Sequence, residues 1–184
     1  PDVDVIDIST SNNAHFEVAK AAIEAGKPFC LEKPVTLTAE EADILAKAAQ
    51  ERGVPNMVCF SYRFKAAARY AKELVEQGML GDIYHVYMQY LQGGGGPSYD
   101  LPRSWRYQKE LTGTGALGDL GCHALDLVSF VTGKNYRKAV GHVDTYVTQR
   151  RLEEGEGYGP VDVDDFCDYL MEMDGKTSAN FSVT

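Results

Sequence analysis

Two separated groups of residues in this 184-residue chain have the chemistry to move a proton beside a bound ligand. The first is Glu32-Lys33-Pro34, which follows the apolar run Pro28 to Leu31. Read as a parallel strand, that run ends where open α/β sheets form their ligand crevice. Pro34 lacks a backbone donor and biases Lys33 toward an extended conformation, so the strand stops and the ammonium is held at its rim. The alternative is a solvated lysine after a strand, and on the tripeptide alone the two readings balance. The second group is Asp119 and His123, four apart in a helical pattern and therefore on one face, with Asp126 near the same stripe. Leu120, Ala124, Leu127, Val128 and Val131 fill the neighbouring arc and anchor the helix. Histidine exchanges a proton near neutral pH, and a carboxylate beside it fixes its tautomer and favours the cationic form. Here the alternative is an exposed ion pair.

The elements that must position these groups are legible in the apolar periodicity. A strand at Val3 to Ile8 leads to a helix capped by Asn12 or Asn13, with Val18, Ala19, Ala22 and Ile23 inward and Gly26 as its left-handed stop. The strand to Leu31 follows. Thr38-Ala39-Glu40-Glu41 reads as a capping box opening a second helix, with Ile44, Leu45, Ala48 and Ala49 inward and Gly53 at its end. Met57 to Phe60 reads as a short buried strand. This β-α-β-α-β alternation specifies parallel strands whose ends gather on one edge, where Asn12, Lys33 and residues near Ser61 would meet.

Beyond Tyr62-Arg63-Phe64 the pattern changes. A helix with Ala67, Tyr70, Ala71, Leu74 and Val75 inward is followed by strands at Ile83 to Leu91, Val140 to Gln149, Phe166 to Met173 and Thr177 to Val183. The last two read as a hairpin across Asp174-Gly175-Lys176. Glu153 to Pro160 reads as a solvated connection, and Asp162, Asp164 and Asp165 as a solvated strand entry without calcium-loop spacing. Gly93 to Gly96 is followed by Pro97 and not by a helix, which favours a flexible loop over a phosphate cradle.

Three ordered motifs carry a family likeness: Thr10-Ser11-Asn12-Asn13-Ala14-His15, Glu32-Lys33-Pro34, and Gly113 to Asp126 with its Asp119-x-x-x-His123. With them the chain resembles the Gfo/Idh/MocA family of nicotinamide-dependent sugar and polyol oxidoreductases over nearly its whole length. The resemblance implies an α/β fold: the second half of a Rossmann-type parallel sheet in residues 1–61, then, in 62–184, an incomplete α+β substrate-binding and oligomerisation domain on a large open, mostly antiparallel sheet. No G-x-G-x-x-G precedes the first strand, so the resemblance also implies that the first βαβ units and a C-terminal segment lie outside this chain.

The same resemblance assigns roles. Lys33, Asp119 and His123 would be catalytic. Thr10, Asn12, His15, Glu32 and Lys33 would contact NAD or NADP, and Tyr62, Arg63, Trp105, Arg106, Asp119 and His123 the substrate, a secondary alcohol of a sugar, anhydrosugar or cyclic polyol. His15 and the Trp105-Arg106 pair each have a packing alternative. The Trp105 to Asp119 arrangement points toward the branch of levoglucosan-type and related sugar dehydrogenases. Lysine and histidine both remain open as proton acceptor; His123 is preferred, because an ordinary lysine is protonated at neutral pH. Ser11, Ser61 and Ala66 or Ala67 depart from the family's frequent proline, asparagine and proline.

Composition narrows the classes. A net charge of -9 without a basic run argues against nucleic-acid or anionic-membrane partners. No apolar stretch is long enough to cross a bilayer and no secretory leader is evident. Cys30, Cys59, Cys122 and Cys167 form no C-x-x-C pair and read as reduced, buried thiols of a cytoplasmic protein. No third ligand at suitable spacing joins Asp119 and His123, so no metal is expected there. In the family, full-length chains associate as homodimers or homotetramers. The rival readings are a non-catalytic nucleotide- or sugar-sensing protein of the same fold and, third, a metal-assisted hydrolase or lyase.

Overall fold

The computed structural model describes residues 2–96 and 98–184; Pro1 and Pro97 lie outside them. Strands β1 (Ile6–Ile8), β2 (Phe29–Leu31) and β3 (Asn56–Val58) form a parallel sheet in that order. The crossovers are α1 (His15–Glu24) and α2 (Ala39–Arg52), whose Ala19, Ala22, Ile23, Leu45 and Ala49 pack on Ile8, Phe29 and Leu31. Gly26 and Gly53 adopt the positive φ that lets each helix turn back into the sheet.

Several local expectations are corrected. The first strand is confined to Ile6–Ile8, and the third to Asn56–Val58, where Met57 is exposed because β3 is the sheet's edge. Ile44 faces solvent, since the apolar stripe of α2 is narrower than its periodicity suggested. Thr38 Oγ1 accepts from Glu41 N at 3.2 Å, yet Glu41 returns no bond, so the capping box is half formed. Neither Asn12 nor Asn13 caps α1 with its side chain; a 3₁₀ turn, Asn12–Ala14, leads into the helix instead.

The second part is built on α3 (Ala66–Glu76), β4 (His85–Tyr90), α4 (Lys109–Thr112), α5 (Cys122–Thr132), β5 (Tyr136–Asp144), β6 (Gln149–Arg151), β7 (Tyr158–Pro160), β8 (Phe166–Met173) and β9 (Ser178–Val183). Its main sheet runs β4-β9-β8-β5, with β4 and β9 parallel and the other pairs antiparallel. Helix α5 and the turn before it cover one face through Leu120, Ala124 and Val128 against Tyr169, Ala179 and Phe181. The other face is bare: Tyr87 is 81% and Val140 68% exposed. On α3, Ala67 and Tyr70 are exposed, and of the positions expected inward Ala71, Leu74 and Val75 are half-buried.

The expected strand Val140 to Gln149 is broken in two. Asp165 accepts from Tyr146 N at 2.9 Å and Val147 N at 2.7 Å, which turns the chain out of β5 and into the separate β6–β7 hairpin. Glu153 to Pro160 is therefore not only a connection, because Tyr158–Pro160 is a strand. No helix among the described residues is long and apolar enough to cross a membrane.

Candidate active site

The C-terminal ends of β1 and β2 open onto a cavity of about 500 Å³. Thr10, Asn12, Glu32 and Lys33 line it from the parallel sheet, and Trp105, Arg106 and Asp119 from the second part. Parallel strands all point their carboxyl ends the same way, so a residue just past β2 is delivered to this rim. Lys33 is ion-paired through Nζ to Asp119 Oδ1 and donates to Asp119 O at 3.1 Å. The lysine side chain is 15% exposed and the aspartate 46%, so the ammonium is enclosed while its partner stays wet.

Asp119 stands on a π-helical turn, Leu117–Gly121, closed by Cys122 N donating to Leu117 O. A wider turn of this kind breaks the i,i+4 alignment of a regular helix. The carboxylate accordingly meets Lys33, and no hydrogen bond joins it to His123, contrary to the expectation that it orients the imidazole. The turn is held from afar by Asp164, which accepts from Gly115 N at 2.8 Å and Leu117 N at 2.6 Å while its carbonyl accepts from Ala116 N at 2.9 Å. Asp162 likewise accepts from Lys109 N at 2.7 Å at the start of α4. The acidic strand entry is thus a set of caps for orphan helix and loop N–H groups, not a solvated stretch.

His123 is buried on α5, its ring stacked 4.5 Å from that of Tyr62, and its Nδ1 has no hydrogen-bond partner among the described residues. It does not line the cavity, whose wall here is Lys33, Asp119 and Leu120. Burial pushes its pKa below the usual 6.5 and the Lys33 charge pushes the same way, outweighing Asp119. The neutral imidazole is therefore the form at pH 7, the reverse of the cationic form expected from a carboxylate neighbour. Tyr62 is bonded through its hydroxyl to that of Tyr90, which with burial raises its pKa to about 12.

The remaining residues divide between cavity and scaffold. Trp105 and Arg106 line the cavity, the guanidinium 4.5 Å from the indole centroid. Asn12 lines it too, and its Nδ2 donates to Thr112 O at 3.1 Å. His15 does not: it is fully buried, with Nδ1 2.8 Å from Pro34 O and Nε2 3.1 Å from Thr10 O. A buried imidazole needs polar neighbours, and here the carbonyl oxygens of two motif residues stand at its ring nitrogens, one of them accepting its N–H. His15 braces the loop that carries Lys33 from behind, without itself lining the cavity.

Arg63 does not line the cavity either. Its Nε donates to Asp126 Oδ2 at 2.8 Å and Nη2 to Oδ1, in a bidentate fork, with the guanidinium 5.8 Å from the Phe60 ring and 5.5 Å from that of Phe130. Asp126 is 8% exposed, so removing its partner strands a nearly dry carboxylate. Arg63→Ala is expected to lower the unfolding free energy by about 2–3 kcal/mol in urea melts, whereas Arg63→Ala/Asp126→Asn recovers part of that loss. If the single variant melts like the parent, the pair is an inert surface contact.

Sequence reasoning missed part of the wall. Gln92, Thr112, Thr114 and Tyr146 line the cavity, as do Gly94 and Gly96 of the loop set aside as a phosphate cradle. Thr112 and Thr114 flank Gly113, whose positive φ ends α4 at the cavity edge; that glycine was the one available signal.

Comparison with known proteins agrees with this geometry. Residues 1–60 match the model described as an oxidoreductase family with an NAD-binding Rossmann fold, and residues 68–184 match the GFO/IDH/MocA C-terminal domain. The levoglucosan dehydrogenase of Pseudarthrobacter phenanthrenivorans is 37% identical over a 177-residue alignment that covers 90% of this chain and 45% of that protein. Among solved structures, an oxidoreductase domain protein from Kribbella flavida superposes with a TM-score of 0.93 at 40% identity, over 100% of this chain and 48% of that one. A levoglucosan dehydrogenase in complex with NADH and levoglucosan does so with a TM-score of 0.91 at 35% identity, over 99% and 48%. The chain thus spans about half the length of the relatives it matches. With both halves matched in order around a shared cavity, the chain belongs to the GFO/IDH/MocA oxidoreductase family.

Proposed function

We propose that the full-length protein is an NAD(P)-dependent dehydrogenase that oxidises a secondary alcohol of a sugar or anhydrosugar. The observation that carries this reading is the Lys33–Asp119 ion pair, set in a cavity that the nicotinamide-family half and the sugar-side half line together. Hydroxyl, amide and carboxylate groups of Thr10, Asn12 and Glu32 at the strand ends suit the ribose hydroxyls of a nicotinamide nucleotide. That coenzyme, NAD or NADP, supplies the hydride acceptor. Trp105 offers an apolar ring face and Arg106 its guanidinium donors to a sugar.

The chain's own part is charge and proton control. Oxidation removes one hydride and one proton from the H–C–O–H unit. Lys33, held by Asp119, places an ammonium against the hydroxyl oxygen, where it stabilises developing alkoxide. His123 is neutral, its Nδ1 without a hydrogen bond among the described residues, and takes the proton that Lys33 relays to it from the hydroxyl. The bare face of the four-stranded sheet is the surface through which copies associate as homodimers or homotetramers.

The test follows absorbance of the reduced coenzyme while the full-length protein is offered anhydrosugars, aldoses and inositols with NAD or NADP. Turnover with a member of that panel is expected, and inertness with every one overturns the assignment. Because deprotonated His123 is the acceptor and its pKa lies below 6.5, kcat should rise with pH on the acid side and level off before neutrality. His123→Asn should abolish that limb. Stability should fall over the same acid window, since the unfolded chain takes up the histidine proton first.

A further inference from the structure

A second cluster of reactive side chains lies on the parallel sheet and takes no part in this chemistry. Cys30 on β2 and Cys59, the residue after β3, bring their sulfurs 3.1 Å apart. Cys59 N donates to Leu31 O at 2.8 Å, which ties that residue to the neighbouring strand. On β1, Asp7 stands in register with Cys30. One carboxylate oxygen and the two sulfurs all lie within 4.8 Å of one another, with Asp7 exposed and both cysteines half-buried. Neither thiol is the fully buried one expected from the sequence.

We propose that Asp7, Cys30 and Cys59 form a binding site for a thiophilic divalent cation of the Zn²⁺ class. Each ligand comes from a different one of three adjoining parallel segments, so the donors are fixed by the sheet's hydrogen bonds rather than by a loop. Two sulfurs and one carboxylate favour a soft or borderline cation over Mg²⁺ or Ca²⁺, which take oxygen alone. Three protein ligands leave a fourth, solvent-side position. At a Zn–S length of about 2.3 Å a tetrahedral centre spaces its sulfurs roughly 3.8 Å apart, a change that side-chain rotation can supply.

Asp7 and Glu32 bring negative charge to the two thiols, which attracts a divalent ion. The ion binds as two thiol protons leave to solvent. Cys30 lies just ahead of Glu32-Lys33, so an ion here clamps all three strands directly beneath the active-site rim.

Cobalt(II) added to the reduced, metal-free protein is the probe. The expected result is one equivalent bound, with the near-ultraviolet thiolate-to-cobalt charge-transfer band and the visible bands of tetrahedral cobalt, all displaced by Zn²⁺. Cys30→Ser or Cys59→Ser should remove the charge-transfer band, and Asp7→Asn should weaken binding roughly tenfold or more. Absence of the band in the parent protein, or its survival in the double serine variant, overturns the site. So does a parent protein that loses two hydrogens in air, with Cys30 and Cys59 joined in one peptide. None of these readouts depends on dehydrogenase turnover, so the site and the proposed activity stand or fall separately. Circular dichroism melts show whether a variant that fails to bind is still folded, and the result on the parent protein decides in either case.

Discussion

Lys33→Met in the full-length protein should reduce kcat/KM about 10³- to 10⁴-fold, with coenzyme binding retained. Removing one preorganised donor aimed at a developing oxyanion costs about 10²- to 10³-fold, and loss of the proton relay adds to that. The stability effect should be small. Asp119 is 46% exposed and can exchange the ammonium for water, so the lost pair is worth under about 1 kcal/mol. On a chain of this size that moves Tm by no more than roughly 4 °C. Activity and melting temperature therefore separate at this position. Turnover within tenfold of the parent would remove Lys33 from the chemistry.

Gly115→Ala should do the opposite, unfolding the site without touching a reacting group. A Cβ at this position would overlap the backbone carbonyl oxygen of Asp164, and it would meet the Asp164 carbonyl carbon at 2.9 Å and Val163 Cγ2 at 3.0 Å. The obstacle is backbone, and that backbone is pinned by the bonds from Gly115, Ala116 and Leu117 to Asp164. Relief of the overlap must pull these bonds apart. Overpacking of this kind costs about 1–3 kcal/mol, and loosened caps bring the expected total to roughly 3–4 kcal/mol. Calorimetry of the full-length protein checks this, with a Tm lower by several degrees. Because the same segment starts the π turn, kcat should fall even where the fold survives. An unchanged Tm would mean that the Asp164 segment is far softer than its hydrogen bonds imply.

What could be read from the sequence divides along physical lines. The parallel sheet was legible because Val18-Ala19-Ala22-Ile23 and the Pro28 to Leu31 run express their burial locally, through periodicity and length. Lys33 was placed correctly because a strand end followed by proline leaves little conformational choice. Asp119 was half legible: its cavity position agrees with the motif, but its partner was misjudged, since nothing in a helical repeat reveals an inserted π turn. His15 and Arg63 lie off the cavity wall, and the acidic run at 162–165 supplies caps, for one shared reason. Each makes its decisive bonds to residues distant in sequence, Pro34, Asp126 and Gly115 among them. Side chains able to bind either ligand or backbone look the same until the fold supplies the competing partner.

The buried bond from Asn12 to Thr112 O carries a mechanical consequence. Jaw-like rotation of one sheet away from the other must break this bond, at about 0.5–1.5 kcal/mol once water replaces it. Two walls of one cavity, Asn12 and Thr112, are thereby stitched at a fixed separation, so the cleft keeps its width at this end.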